Sequence, residues 1–376
     1  MATLFWISLF GCCYSYFFYP VVLRLLIPKR RPSISAPPDH TQASASLIIT
    51  CHNEQGRITE KIENSLAIDY PHLEIIVASD ASSDQTDAIV EQYADRGVRL
   101  VRAEERLGKE NAQLHAIRAA RGDILIFSDT ATQIPKEAIA KMMAYYNDPK
   151  VGAVSSEDRF VTQDGSIAGE GAYVKYEMWL RRLESDRAGL VGLSGSFFSA
   201  RKSVCEQWDI HAPSDFNTAL NCAQQGYVAV TSPDVLGFYT DIKNPAKEYQ
   251  RKLRTIIRGL TAIERHPEVL NLYRFGYFSV QTWSHKILRW AVPWFMLTLL
   301  LSSLAVADKG SFYRLILLGQ IAFYGIALAS WKRPKLQENT ICKLVFFFTQ
   351  VNLALATATL QFFGGKRMSV WTPSER

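Results

Sequence analysis

Four apolar runs decide what this chain can fold into. Leu4 to Ile27 is apolar or aromatic throughout except for Arg24 near its end. A second region, Leu288 to Phe363, is broken by Ala307-Asp308-Lys309-Gly310 and by Lys332-Arg333-Pro334-Lys335, which leaves the candidates Leu288 to Val306, Tyr313 to Trp331 and Ile341 to Phe363. A helix needs about 20 residues to cross the hydrocarbon layer, and these runs are of that order. The chain is therefore expected at a bilayer, with its water-facing chemistry in the stretch between the runs. The first run has no positive start and no small-residue cleavage site after it, so an uncleaved anchor is expected rather than a removed leader.

Pro28-Lys29-Arg30-Arg31 follows the first run directly, and the positive-inside rule puts that side, with everything up to about Tyr273, in the cytoplasm. Lys332 to Lys335 suits a cytoplasmic loop as well. Four full spans would leave Lys366, Arg367 and Arg376 outside, against the same rule, and Gln350, Asn352 and Gln361 allow the last run to be re-entrant or to lie flat. Aromatics mixed with cations from Tyr273 to Trp290 suit a helix in the headgroup layer, although packing on the domain explains them too. The expected organisation is an anchor over 1–28, a linker over 29–45, a cytoplasmic domain over 46–272, an interfacial helix over 273–290, membrane segments within 288–365 and a tail over 366–376. This describes a multi-pass protein of the cytoplasmic (inner) membrane, with membrane lipids as partners.

The 42 Lys and Arg against 36 Asp and Glu give a net charge of +6, too small an excess to imply a nucleic-acid partner. Its six cysteines include no C-x-x-C pair and three lie in apolar runs, so neither a zinc site nor a disulfide framework is indicated.

From Ser46 short apolar runs alternate with amphipathic ones. Leu47-Ile48-Ile49, Leu73 to Val77, Val98 to Val101 and Ile124 to Phe127 read as strands, with helices through Ile58 and Ile62, Ile89 and Tyr93, Leu114 and Ile117, and after Pro135. Alternation of this kind implies an α/β domain with a mostly parallel sheet and helices on both faces. Ligands of such sheets sit at the carboxyl ends of the strands. The polar residues there are Asn53 and Glu54, then Asp80 and Asp84, then Gly108-Lys109, then Asp129. Asp84 reads as a cap for the helix opening at Gln85-Thr86-Asp87. Asn53 and Glu54 suit a turn as well as a site. Asp80 and Asp129, at the ends of apolar strands, need a cation or hydrogen-bond donors to offset their desolvation. A nucleoside diphosphate bridged by a divalent ion fits this rim. A dinucleotide does not, because G-x-G-x-x-G is absent after the first strand, and no G-x-x-x-x-G-K-[ST] loop occurs.

The order of these motifs resembles the family 2 glycosyltransferases, in particular the membrane-anchored bacterial polysaccharide enzymes related to cellulose and hyaluronan synthases. Thr50 to Glu54 is similar to the family's first strand ending in Asn-Glu, Ser79 to Asp84 to its Asp-Asp-Gly-Ser-Thr-Asp, Arg106 to Ala112 to its Gly-Lys turn, and Asp129-Thr130-Ala131 stands where its Asp-x-Asp belongs. Leu193 to Arg201 resembles the small-residue strand near the acceptor. Ser214-Asp215-Phe216 resembles the segment carrying the base, and Gln250 to Thr255 with Arg258 the Gln-x-x-Arg-Trp region.

The resemblance implies a GT-A-like fold and an inverting transfer from a nucleotide sugar, expected to be UDP-linked, to a lipid-linked or glycan acceptor. It implies Asp215 as general base, which Ser214-Asp215 could otherwise serve as a helix cap. Asn53, Glu54, Asp80, Lys109 and Asp129 would bind the donor. Asp129 would hold Mg²⁺ or Mn²⁺, and Arg251, Arg254 and Arg258, on one helix face, would stabilise the leaving diphosphate. A solvated or lipid-facing basic face is the other reading of those arginines. Tyr173, Tyr176, Glu177, Trp179 and Arg181-Arg182 suggest an acceptor surface, or core packing. Ala131 in place of the second aspartate weakens the metal site, and Thr255 in place of tryptophan points to one sugar added per encounter. A nucleotide-sugar-binding subunit without transferase activity is the rival reading, and Ala131 is its support.

Overall fold

The computed structural model describes residues 1–30, 43–161, 172–240 and 245–368. Most of the linker expected over 29–45 and residues 369–376 of the tail lie outside the described residues. The chain forms two compact units.

One unit gathers the apolar helices. Ala2–Leu26, Val292–Lys309, Ser311–Lys332 and Thr340–Phe363 are each long and apolar enough to cross a membrane, and they coincide with the four runs read from sequence. Ala2–Leu26 contains one π-helical turn, Tyr14–Phe18, just before Pro20. A proline lacks an N–H and crowds the carbonyl four residues earlier, and the wider turn relieves both. Asn339 starts the last helix by accepting hydrogen bonds from the N–H groups of Ile341 and Cys342. Most of the helix Pro245–Arg265 belongs to this unit, where Lys252 lies 4.4 Å above the Phe347 ring and Tyr249 meets Thr357 at 3.4 Å. Residues 273–290 are helical in several pieces and expose Tyr273, Tyr277 and Trp283.

The other unit is built on a seven-stranded sheet: β1 Ala45–Cys51, β2 Leu73–Ser79, β3 Val98–Arg102, β4 Ile124–Asp129, β5 Val151–Val161, β6 Phe197–Arg201 and β7 Val228–Thr240. Their order is β3-β2-β1-β4-β6-β5-β7. The first four are mutually parallel, as their alternation with helices implies, whereas β6 runs antiparallel to both β4 and β5. Side chains of a strand point alternately to the two faces, so an apolar run is stable only where both faces are covered. Leu47, Ile49, Ile75, Val77, Ile124 and Ile126 pack with Ile58 and Ile62 on one side. Ile48, Ile76, Leu125 and Phe127 pack with Ala112, Ala116 and Trp208 on the other. Each fully buried Val, Leu, Ile or Phe side chain among them contributes about 1.5–3 kcal/mol.

Within this unit Lys29 pairs with Asp186 at 3.1 Å and Arg30 with Asp148 at 3.2 Å. Lys29 and Arg30, read from sequence as part of an orientation signal, thus also form ion pairs within this unit.

Candidate active site

Register sets the rim. Cys51 pairs with Ser79 and Thr50 with Asp129, so β1, β2 and β4 end at nearly one level. The backbone turns sharply there, with Asn53 at φ 53° and Ala81 at φ 50°. Asn53 is exposed, and its Oδ1 accepts the N–H of Ser83 at 2.8 Å. Glu54 is half-buried, 3.7 Å from Arg57, and its N–H donates to Thr86 Oγ1 at 2.8 Å. Asp84 accepts the Thr86 N–H at 3.0 Å and the Gln55 N–H at 3.2 Å, which makes it a clasp between the first two loops.

Asp80 is fully buried. Its carboxylate accepts the N–H groups of Gly108 at 3.1 Å and Leu107 at 3.2 Å. Burial pushes this carboxyl above the usual aspartate range, and the Gly108 N–H works against that rise. Gly108 adopts φ 108°, a conformation that L side chains rarely take, so the Gly-Lys turn needs its glycine. Asp80 thereby fixes the turn from which the helix Lys109–Ala119 departs.

Lys109 is buried and points its ammonium across the rim, donating to Asp129 Oδ1 at 2.5 Å and to the carbonyl of Gly195 at 2.8 Å. Gly195 arrives because β6 is antiparallel to β4: Ser128 pairs with Phe197, so the residues preceding β6 lie at the carboxyl end of β4. Gly195 in turn faces Asp215, on the first turn of the helix Ser214–Gln224. The Leu193 N–H donates to the Asp215 carbonyl at 3.1 Å, and Asp215 Oδ1 accepts the Phe216 N–H at 2.9 Å. Glu110, beside Lys109, accepts the Ser214 N–H at 3.3 Å, and its carbonyl accepts Trp208 Nε1 at 3.0 Å. Asp80, Lys109, Asp129 and Asp215 therefore form one contiguous constellation.

Sequence reading missed Lys61. It is fully buried under the Asp129 turn and donates to Ser128 Oγ at 2.8 Å and to the Thr132 carbonyl at 2.5 Å. Burial draws its ammonium down to about 7, against the pull of Asp129. The signal was available: Ile58, Lys61, Ile62 and Ser65, at helical spacing, are the buried face of one helix.

Arg251, Arg254 and Arg258 all lie on the helix Pro245–Arg265, in the unit of the apolar helices; Arg258 is buried, Arg254 half-buried and Arg251 exposed. Tyr173, Tyr176, Glu177 and Trp179 lie on the helix Ala172–Ser185, with Tyr173 and Trp179 exposed. From the same helix Arg181 donates to Ser155 Oγ at 2.9 Å, and Arg182 grips the buried Glu157 through two bonds of 2.8 Å. Arg181 and Arg182 thus fasten this helix to β5.

For a metal the donor set is thin. Among the described residues no three His, Cys, Asp or Glu are grouped to hold an ion. Asp129 offers one carboxylate, and Ala131 none, so an ion at Asp129 fits only with ligands brought by a bound molecule.

The family model described as Glycosyl transferase family 2 matches residues 46–208, a span that holds Asn53, Glu54, Asp80, Lys109 and Asp129. Poly-beta-1,6-N-acetyl-D-glucosamine synthase of Staphylococcus epidermidis is 27% identical over 213 residues, 51% of this chain and 52% of that protein. The synthase of the same name from Staphylococcus aureus strain MSSA476 is 28% identical over 194 residues, 50% of this chain and 46% of that protein. The chain thus spans about half the length of these curated relatives. Among solved structures, a mannosyltransferase from Pyrobaculum calidifontis in complex with GDP-Man and Mn²⁺ has a TM-score of 0.73 at 23% identity, covering 97% of this chain and 99% of that one. The fold is accordingly GT-A-like.

Proposed function

We propose that this chain, whose residues 46–208 match the Glycosyl transferase family 2 model, moves a sugar from a nucleoside-diphospho-sugar, UDP-linked in our reading, to a lipid-linked or glycan acceptor at the cytoplasmic face of a membrane, with inversion at the anomeric carbon. The acceptor hydroxyl bonds to that carbon as the bond to the diphosphate breaks, and the hydroxyl proton passes to Asp215. A hydroxyl is a weak nucleophile at neutral pH, and a positioned base is worth about 10²–10⁴ in rate. The reading is carried by the contact series from Asp80 through Gly108-Lys109 to Asp129 and from Lys109 through Gly195 to Asp215.

Asn53, Glu54 and the Asp80 loop border the place for the nucleoside. Lys109 supplies fixed positive charge for the departing diphosphate, the role that the family resemblance also implies for Arg251, Arg254 and Arg258. Asp129 is the carboxylate for Mg²⁺ or Mn²⁺, which when bound offsets charge on the diphosphate. The similar mannosyltransferase fold was solved with Mn²⁺, which supports this assignment. Four helices of membrane-crossing length favour an acceptor delivered at the lipid surface. Thr255, whose hydroxyl is turned back onto the Arg251 carbonyl at 2.9 Å, offers no ring to stack on a growing chain, and this supports single additions.

The test is turnover of UDP-, GDP- and dTDP-sugars by the solubilised full chain. Turnover lost in Asp215→Asn with donor binding retained is the expected result. Binding of a donor without turnover by the unsubstituted chain would instead favour a non-catalytic subunit.

A further inference from the structure

We propose that Lys61 is a positioning residue of the donor site: from beneath the sheet rim its amino group ties Ser128 to Thr132 and so sets where Asp129 holds Lys109, the cation assigned to the diphosphate. The inference rests on the donor-site reading above and adds the residue that fixes the geometry of that site.

Lys61 is 0% exposed, on the helix Ile58–Leu66. Its Nζ donates to Ser128 Oγ at 2.8 Å and to the Thr132 carbonyl at 2.5 Å, so one side chain bridges both flanks of Asp129-Thr130-Ala131. Ser128 and Thr132 are themselves buried. An apolar side chain in this place would leave those acceptors without this donor, and buried polar atoms are costly to leave unmet. An amine has N–H groups for both acceptors whether or not it carries the extra proton, so the bridge does not depend on charge state.

Neighbouring residues of the helix grip the same stretch of chain further along. Gln133 Nε2 donates to Glu60 Oε1 at 2.7 Å, and Asn64 exchanges two bonds of 2.9 Å with the backbone of Ile134. Of these three, Lys61 reaches the turn that carries Asp129. At its start the helix is pinned to the loop of Asn53 and Glu54, since the N–H groups of Arg57 and Ile58 donate to the Glu54 carbonyl at 2.9 Å. One rigid element therefore joins the loop assigned to the nucleoside to the turn assigned to the diphosphate, and Lys61 is its contact with that turn.

On the rim, Asp129 Oδ1 accepts Lys109 Nζ at 2.5 Å, and the same ammonium donates to the Gly195 carbonyl at 2.8 Å. An ammonium is a compact charge on a flexible four-carbon stem, so its acceptors decide where it stands. A shift of the turn moves the Asp129 carboxylate, and Lys109 follows. Lys61 thus acts on the donor through Asp129 and Lys109 rather than by touching it.

Binding of UDP, GDP and dTDP to the solubilised full chain, measured by titration calorimetry with Mg²⁺ present throughout, tests this without turnover. Lys61→Met should bind the preferred nucleotide about tenfold more weakly than the parent, the worth of one misplaced charge-assisted bond. In an Asp129→Asn background the same change should matter by no more than about twofold, because the effect runs through Asp129. Ile62→Ala disturbs the core face of the same helix; it should melt earlier and bind nucleotide like the parent. Should Lys61→Met fail to fold, Ser128→Ala removes one acceptor of the bridge from the turn side and should weaken binding about threefold. Lys61→Met, or Ser128→Ala in its place, binding like the parent while Asp129→Asn binds weakly would overturn the positioning role and leave the donor site standing. Equal losses in both backgrounds, or a loss in Ile62→Ala to match that in Lys61→Met, would do the same. Nucleotide binding that is indifferent to Asp129→Asn, or absent from the parent, would overturn the inference together with the donor-site reading.

Discussion

Gly195 lies so close to Asp215 that a methyl group on its Cα would stand 3.2 Å from the carboxylate Oδ2. That is tight enough to push the carboxylate by a few tenths of an ångström while leaving the fold intact. A small displacement of a catalytic group can lower the rate about 10²-fold, because the reacting atoms must be held within a narrow geometry. Gly195→Ala is therefore expected to lower kcat by about 10–100-fold with little change in donor KM. Steady-state kinetics with the accepted donor, alongside a melting curve within a degree or two of the parent, would check it. A donor KM that rises while kcat holds would show that Gly195 serves the donor rather than the base proposed at Asp215.

Lys61 gives the stability a defined pH slope. Its folded value, about 7, lies below the ordinary 10.5, with burial as the cause. Between those values the unfolded chain holds a proton that the folded chain lacks, so unfolding free energy rises with pH across that window; below about 7 the burial penalty is present in full. The slope from one such group approaches about 1.4 kcal/mol per pH unit. Lys61→Met removes the titrating group and keeps its length. The expected result is a flatter stability profile between pH 7 and 10 for the variant than for the parent, read from denaturant midpoints. Parallel profiles would mean that Lys61 keeps its proton throughout.

What the sequence made legible follows from burial on both faces. β1, β2 and β4 are apolar along their length because helices cover them on either side, so their ends, and with them Asn53, Asp80 and Asp129, could be placed in advance. The second half of the sheet hides for physical reasons. β5 buries Ser155, Ser156 and Glu157, whose polar groups are satisfied by Arg181, the Phe197 carbonyl and Arg182, and this reads in sequence as a loop. β7 contains Pro233 and Gly237, which spoil its strand pattern in sequence, and its pairing with β5 carries two register shifts. The antiparallel turn of β6 has no local signature, yet it carries Gly195 to Lys109 and Asp215. A buried lysine reads in sequence like any solvated one, and only its position on the Ile58 and Ile62 face marks Lys61.

Arg30 and Asp148 form a partner pair in the segment that follows the first apolar helix, with side chains 17% and 6% exposed. Burial lowers the affinity of Arg30 for its proton, and Asp148 opposes this. Asp148→Asn removes the charge while keeping an oxygen for the Lys150 N–H, which Asp148 Oδ1 accepts at 2.9 Å. A guanidinium left partly buried without its counter-charge costs about 2–4 kcal/mol, less than a fully buried pair because Arg30 keeps some contact with water. The variant should melt several degrees lower, and combining it with Arg30→Met should recover part of the loss. A double-mutant cycle on the solubilised protein measures the coupling, and simple additivity would show that the two side chains do not sense each other.

Gly11 marks the closest approach of two apolar helices. A methyl group there would stand 2.6 Å from the ring of Phe295, so Ala2–Leu26 and Val292–Val306 meet backbone against ring. One turn away Ser8 Oγ and Thr298 Oγ1 share a hydrogen bond of 2.8 Å. Between apolar helices in lipid, small residues that admit close packing and hydroxyls that bond across the seam supply the attraction, since hydrocarbon is no worse a neighbour than leucine. Gly11→Ile adds volume where a ring already fills the space, and overpacking of this kind costs about 1–3 kcal/mol. Ser8→Ala removes one interhelical bond and should cost less, about 0.6 kcal/mol. The expected order of thermal stability in detergent is parent, Ser8→Ala, Gly11→Ile. Donor hydrolysis by the surviving folded fraction should be little changed, because neither residue belongs to the unit that carries Asp129 and Asp215. If Gly11→Ile melts with the parent, the two helices are not packed at this glycine.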